Sequence, residues 1–280
     1  DVGKYLGSSS EIDPATTRNV KWIARLGSES YGNPTVAGGR VFVGTNNDSP
    51  RDERFQGDRC TVYCFEEKTG EFLWQLNVPK LGTGKVSDWE FLGICSSPSV
   101  EGDRVYLVTN RCEVICLDAN GLANGNDGPY QDEAQYQAGP GKEPIPLTAT
   151  DADILWVTNM IDECGVFPHN ITTSSVLIAG DHLWVTTSNG VDYGHVETPA
   201  PNAPCMITVN KHTGELIAEE QSGLSQRIFH CNWTSPAYLR AGDLELGILG
   251  GPDGVCYAFR PTPVEGEDGW PILDLAWQFD

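Results

Sequence analysis

Residues 60–74, CTVYCFEEKTGEFLW, read as one strand over Thr61–Phe65, a turn at Lys68-Thr69-Gly70 and a second strand ending on Trp74. The outline returns as RCEVICLDANG at 111–121, CMITVNKHTGELIAEE at 205–220 and GVCYAFRPTP at 254–263. A recurring unit decides the architecture, because each copy buries its apolar face only against its neighbours. Segments matching the strand of Trp74 carry Trp22 (VKWIARL, 20–26), Trp156 and Trp277. Before each copy, two short apolar runs flank a glycine-containing step: GNPTVAGGRVFVGT (32–45), SSPSVEGDRVYLVT (96–109), TSSVLIAGDHLWVTT (173–187) and TSPAYLRAGDLELGIL (234–249).

Four strands per copy at this spacing predict an all-β chain, a β-propeller of four-stranded blades with about four blades visible. A β-sandwich would not repeat the same Trp and the same Ser-Ser-Pro step in order. The expected limits are an N-terminal extension at 1–19 and blades near 20–76, 77–157, 158–220 and 221–280. Four is the low end of propeller sizes, so closure is expected to need further blades or a partner protein.

The 280 residues carry 39 acidic against 18 basic side chains, a formal charge of −21, which repels phosphate backbones and disfavours nucleic acid as a partner. No apolar run approaches the length of a membrane span. The Asp1 start, without Met or an apolar signal core, reads as a processed or trimmed chain. The nine cysteines include no CxxC knuckle and no CxxCH haem site. Neither a G-x-S-x-G elbow nor a phosphate-binding loop occurs.

Propeller topology gathers the connections that follow each fourth strand and those between the second and third strands on one face. His169 and His230 precede first strands, and His195 lies in a second-to-third loop. With Asp192 and Glu163 they form a candidate face for a transition metal or a polar ligand, since neutral imidazoles suit such metals. A long insertion at 120–149 is expected on the opposite face. There Asp118, Asn120, Asn124, Asn126, Asp127 and Asp132 alternate with glycines, offering hard oxygen ligands for Ca²⁺ without the spacing of an EF-hand. Cys95 and Cys112 start strands at one end of the same repeat, which makes a Cys95–Cys112 disulfide geometrically feasible.

The segment carrying Cys64, Glu66, Thr69, Gly70 and Trp74 resembles the docking motif A-x-D-x-x-T-G-x-x-x-W of the pyrroloquinoline quinone-like (PQQ-like) propellers of the quinoprotein alcohol dehydrogenase superfamily, with two departures at its first positions. The third copy keeps Thr213 and Gly214 but has Ala218 in place of Trp. The resemblance implies that Thr69-Gly70 turns the chain, that Trp74, Trp156 and Trp277 dock between blades, and that Cys64 and Cys116 pack where the motif has Ala. The segments NRCEVICLDANG, ANGNDGP, MIDECGVFPHN, TSNGVDYGH and WTSPAY are similar to those of exported PQQ-like repeat proteins of the planctomycete type. That likeness implies a periplasmic or secreted protein.

The superfamily contains both dehydrogenases and non-catalytic scaffolds. The adjacent Cys-Cys lid of the methanol-type enzymes is absent, and the residues that would hold PQQ and its Ca²⁺ cannot be matched one by one, which disfavours PQQ. The expected function is therefore a non-catalytic binding or scaffold propeller acting on a protein partner or ligand through its loop-rich face. The alternatives are a PQQ- and Ca-dependent alcohol or sugar dehydrogenase and a structural subunit of a larger complex.

Overall fold

Each copy of the repeat becomes a four-stranded antiparallel meander in the computed structural model, which describes residues 18–280. The first consists of β1 (Thr35–Ala37), β2 (Arg40–Asn46), β3 (Arg59–Glu66) and β4 (Phe72–Pro79), and the second of β5 (Ser99–Glu101), β6 (Arg104–Thr109), β7 (Glu113–Asp118) and β8 (Ile154–Asn159). The third is β9 (Leu177–Ala179), β10 (His182–Thr186), β11 (Met206–Asn210) and β12 (Leu216–Glu219); the fourth is β13 (Ala237–Ala241), β14 (Leu244–Gly250), β15 (Cys256–Glu265) and β16 (Pro271–Phe279). A single parallel pair, Glu219 with Ile272, links the last two sheets. The chain is an all-β arc of propeller blades.

The cores lie between blades. Trp74, Leu76 and Val62 of the first blade meet Leu107, Ile115 and Ile154 of the second. Tyr106, Val114 and Trp156 of the second meet Leu183, Val185 and Ile207 of the third, and Trp184 and Met206 of the third meet Tyr257 and Phe259 of the fourth. Strand alternation sends side chains to both faces of each sheet, so an inner blade is apolar on both. This explains why β7 is buried along its whole length.

One contact recurs at successive seams. The Trp74 indole donates to Ala119 O at 2.9 Å while its ring covers Gly121, where a Cβ would lie 2.7 Å from Trp74 Cδ1. Trp156 covers Gly214 and donates to Lys211 O at 3.3 Å, and Trp22 covers Gly70 and donates to Glu67 O at 2.8 Å. Each glycine also sits at positive φ (75°, 59° and 77° for Gly70, Gly121 and Gly214), so a side chain would be resisted by the backbone as well as by the ring. At the third-to-fourth seam, where Ala218 replaces Trp, the ring comes from β10: a Cβ on Gly247 would lie 2.3 Å from Trp184.

Four expectations change. Residues 20–26 form no strand, although Trp22, Ala24 and Leu26 cover Val41, Tyr63 and Phe65; among the described residues they find no strand edge to pair with. Trp277 fills no seam and is 40% exposed on the open face of the fourth blade. The 120–149 insertion does not stay on one face but reaches the edge of β4, where Asn77 N donates to Gln137 Oε1, and the residues that follow it pair there too, Gln75 N donating to Thr150 O and Ala152 N to Gln75 O. It thereby satisfies an edge that would otherwise invite pairing with another chain. Finally, all nine cysteines are free thiols. Cys112, at φ 61°, points its Sγ to Thr187 O in the next repeat, whereas Cys95 faces the carbonyls of Leu92 and Gly93, so the Cys95–Cys112 bridge does not form. The extension assigned to 1–19 lies outside the described residues as far as residue 17.

Seam docking makes an unequal prediction for two tryptophans of equivalent repeat position. Trp74→Ala is expected to cost about 3–5 kcal/mol by urea denaturation, the range for a buried Trp, and Trp277→Ala less than about 1 kcal/mol. Equal losses would contradict the assignment of Trp74 to the seam.

Candidate metal centre

Three stretches without regular strand structure, 167–170, 188–192 and 229–233, lie side by side on one face of the third and fourth blades. Backbone bridges join Pro168 to Asn189 and Gly190 to Cys231. His169 N donates to Ser188 O at 3.1 Å, Gly190 N to Phe167 O at 3.0 Å and Val191 N to His230 O at 2.9 Å. Gly190 is required at the crossing, since a Cβ there would stand 2.6 Å from His169 Cβ and 2.7 Å from His230 O.

This backbone brings His169, His195 and His230 together, their ligand nitrogens all within 4.8 Å of one another. His169 is buried, His230 half-buried and His195 exposed. His230 Nε2 is 2.9 Å from His169 Nε2 and 3.0 Å from His195 Nε2. Nδ1 of His169 lies 2.6 Å from Val191 O, a group that can only accept, so Nδ1 carries the proton and Nε2 of the neutral ring is a bare lone pair. A ring nitrogen presents either one hydrogen or one lone pair, and Nε2 of His230 therefore cannot satisfy two facing nitrogens together. A cation meets all three lone pairs at once.

Bonds of roughly 2.0–2.1 Å in a tetrahedral Zn²⁺ site place ligand nitrogens about 3.4 Å apart, a spreading of a few tenths of an ångström from the arrangement here. The carbonyl of Val191 fixes the tautomer of His169, the part an outer partner plays for metal-binding histidines in general. Three imidazoles leave one position open to water or a ligand, and neutral imidazole suits Zn, Cu, Ni and Fe.

The remaining sequence candidates divide. Asp192 takes the backbone N–H groups of Val196 and Glu197 on Oδ1, which lowers its pKa and shapes the turn in which His195 adopts φ 55°. It positions His195 rather than joining the three nitrogens. Glu163 is exposed on the helix α2 (Met160–Cys164) and is not part of the cluster. Sequence reasoning missed Trp233, whose ring centre is 4.9 Å from that of His230 and whose Nε1 donates to Ile171 O at 3.1 Å. With Trp89, Tyr31, Asn170 and Ser97 it lines a cleft of about 510 Å³ beside the histidines.

Elsewhere, Asp118 and Asp127 converge with Asp153, which was not among the sequence candidates. Burial pushes the Asp153 carboxyl up to about 6, and Glu133, Asp118 and Asp127 add to the shift. Asn120, Asn124 and Asn126 are engaged instead with Arg40, Asp127 and Glu133 or Gln131, and Asp132 is exposed at the start of the helix α1 (Glu133–Ala138).

A family profile described as "Outer membrane protein assembly factor BamB", of the PQQ-like repeat type, matches residues 10–121. Over those residues the repeats are similar to PQQ-like ones. Similar solved structures include BamB from Moraxella catarrhalis, at 13% identity over 92% of this chain and 50% of that one, with a TM-score of 0.45. A europium-containing methanol dehydrogenase matches at 14% identity over 90% of this chain and 42% of that one, TM-score 0.49. The quinohemoprotein alcohol dehydrogenase ADHIIG from Pseudomonas putida HK5 matches at 15% identity over 86% and 36%, TM-score 0.42. The chain thus spans half or less of the length of each. No curated protein sequence matches. No helix among the described residues is long and apolar enough to cross a membrane.

Burial lowers the pKa of His169, with His230 and His195 lowering it further, and burial likewise lowers that of His230. The unfolded chain therefore takes up protons near pH 6.5 that the folded, metal-free site refuses, so this contribution is full above that pH and is lost as the pH falls. The melting temperature of chelator-treated protein is expected to drop more steeply from pH 7 to 5 in wild type than in His169→Gln. An equal drop would contradict burial of a neutral His169.

Proposed function

We propose that the chain is a binding module in which a three-histidine transition-metal centre and the adjoining aromatic cleft form the recognition site. The observation that carries the reading is the convergence of His169, His195 and His230 Nε2 with Nδ1 of His169 already committed to Val191 O. In metal-bound form the open position would take a donor atom from the ligand, and Trp233 and Trp89 would offer it flat apolar surface beside that atom.

The cleft does not suit PQQ. Its lining contains no Lys or Arg to meet a tricarboxylate quinone, and its sulfur is the single thiol of Cys95. The dehydrogenase alternative therefore gains no support from the donor set around the cleft.

The likeness of MIDECGVFPHN and TSNGVDYGH to exported planctomycete-type proteins, and the family described as an outer membrane assembly factor, support placement in the cell envelope or outside the cell. Free thiols are compatible with such a compartment where they are shielded: Cys60, Cys64, Cys112, Cys116, Cys205 and Cys231 are buried, and burial raises the pKa of each. With a charge of −21, a protein partner is expected to present a basic surface.

Chelator-stripped protein titrated with Zn²⁺, Ni²⁺ and Cu²⁺ is expected to bind one ion per chain and to melt at higher temperature when loaded. His230→Ala and His195→Ala should each weaken binding at least about a hundredfold, because either leaves two ligands. His195 is exposed, so its removal spares the fold. Wild-type protein that takes up none of these ions would overturn the reading.

A further inference from the structure

The longest insertion in the chain, residues 120–149, leaves the end of β7 and returns to the start of β8, and at its root three carboxylates face one another. Asp118 closes β7, Asp153 immediately precedes β8, and Asp127 comes from the loop between them; the ligand atoms they offer lie within 4.8 Å of one another. Each spends one oxygen on the local chain. Asp118 Oδ1 accepts from Asn120 N at 2.6 Å, Asp127 Oδ2 from Asn124 Nδ2 at 3.0 Å, and Asp153 Oδ2 from Asp127 N at 3.1 Å. The other oxygen of each has no hydrogen-bond partner among the described residues.

Asp153 makes the cluster more than a collection of surface acids. Its side chain is fully buried, and its Oδ1 is inaccessible to solvent and receives no hydrogen bond. A buried carboxylate oxygen in that state costs several kcal/mol unless a cation or donor reaches it. Glu133, also fully buried, adds a fourth carboxylate nearby, with Oε2 held by Asn126 Nδ2 and Oε1 facing Ile154 N. No Lys or Arg among the described residues forms an ion pair with any of these four acids, while Asp151, two residues from Asp153, has Arg54 at 2.9 Å. Among the described residues a cation is thus supplied to the neighbouring acid and none to this cluster.

We propose that Asp118, Asp127 and Asp153 bind a hard divalent cation, Ca²⁺ by preference, that pins the 120–149 insertion to the blade. All-oxygen, carboxylate-rich donors on a glycine-containing loop are the chemistry Ca²⁺ selects, and backbone carbonyls and water complete its six to eight ligands. Mg²⁺ demands a tighter, near-ideal octahedron, keeps several of its waters and is usually held by only one or two carboxylates. The site is chemically orthogonal to the histidine centre, which offers only nitrogen. Its consequence is structural: the insertion covers the edge of β4 and buries Tyr136 and Gln137 against the first seam, so the ion fastens the cover of an otherwise open strand.

The test uses the full chain, stripped of metal and titrated with Ca²⁺ and Mg²⁺ by calorimetry, with limited proteolysis read within 120–149. The expected result is one Ca²⁺ per chain, bound at least about tenfold more tightly than Mg²⁺, and slower cleavage of the insertion when Ca²⁺ is present. Asp153→Asn and Asp127→Asn should each weaken Ca²⁺ binding at least about tenfold, whereas His230→Ala should leave it unchanged. Asp127 is exposed in a loop, so its variant carries the test even if Asp153→Asn fails to fold. Absence of Ca²⁺ binding by the wild type up to about 5 mM, beyond the weakest extracellular Ca²⁺ modules, or wild-type affinity in Asp127→Asn, would overturn the proposal.

Discussion

The structure depends on an indole laid over a glycine of the next repeat. In a propeller blade both faces of the sheet must be covered, yet neighbouring blades share little β-ladder, a single pair between the third and fourth, so something else must fix their spacing. Trp74 does this by placing its ring where Gly121 lacks a side chain and by donating to Ala119 O, which joins apolar burial to a directional bond. Trp156 repeats the device on Gly214 and Lys211, and Trp22 on Gly70 and Glu67. Where Ala218 interrupts the series, Trp184 of a different strand covers Gly247, which shows that the constraint belongs to the seam and not to one sequence position.

Seam spacing is also what makes the histidine centre feasible. His169 and His230 belong to connections entering consecutive blades, and their nitrogens converge only if those blades are held at fixed distance. The backbone bonds from Val191 N to His230 O and from His169 N to Ser188 O act within that frame, and Gly190 permits the close crossing. Residues separated by 61 positions thus reach 2.9 Å through rigid elements and short connections, the condition for a preorganised binding site.

The blade pattern is legible in the sequence because it rests on local rules: alternation along strands, glycine at turns, and a Trp at a repeated offset. The same topology assigns the histidines to one face. Their convergence is not legible, since it depends on the tautomer fixed by Val191 O and on a loop shaped by Asp192, both products of tertiary contact. Glu163 shares the face in topology but is carried away on a short helix, and nothing in the local sequence around Trp233, within WTSPAY, distinguishes it from a core residue. The acidic loop fails as a pattern for a different reason. Asn120 is taken by Arg40 of the first blade and Asn124 by Asp127 within the loop, and the buried third carboxylate, Asp153, comes from beyond the insertion just before the next strand. The Cys95–Cys112 pairing fails because strand-end proximity does not fix side-chain direction once Cys112 adopts φ 61°.

Three imidazole nitrogens and an open position, held on a scaffold spaced by Trp–Gly seams, should behave as a metal centre in solution. X-ray absorption at the metal edge of the Zn²⁺-loaded full chain tests this most directly. The expected first shell is nitrogen and oxygen at about 2.0–2.1 Å with the multiple-scattering signature of three imidazoles. A first shell of carboxylate oxygen or thiolate sulfur without imidazole would contradict it.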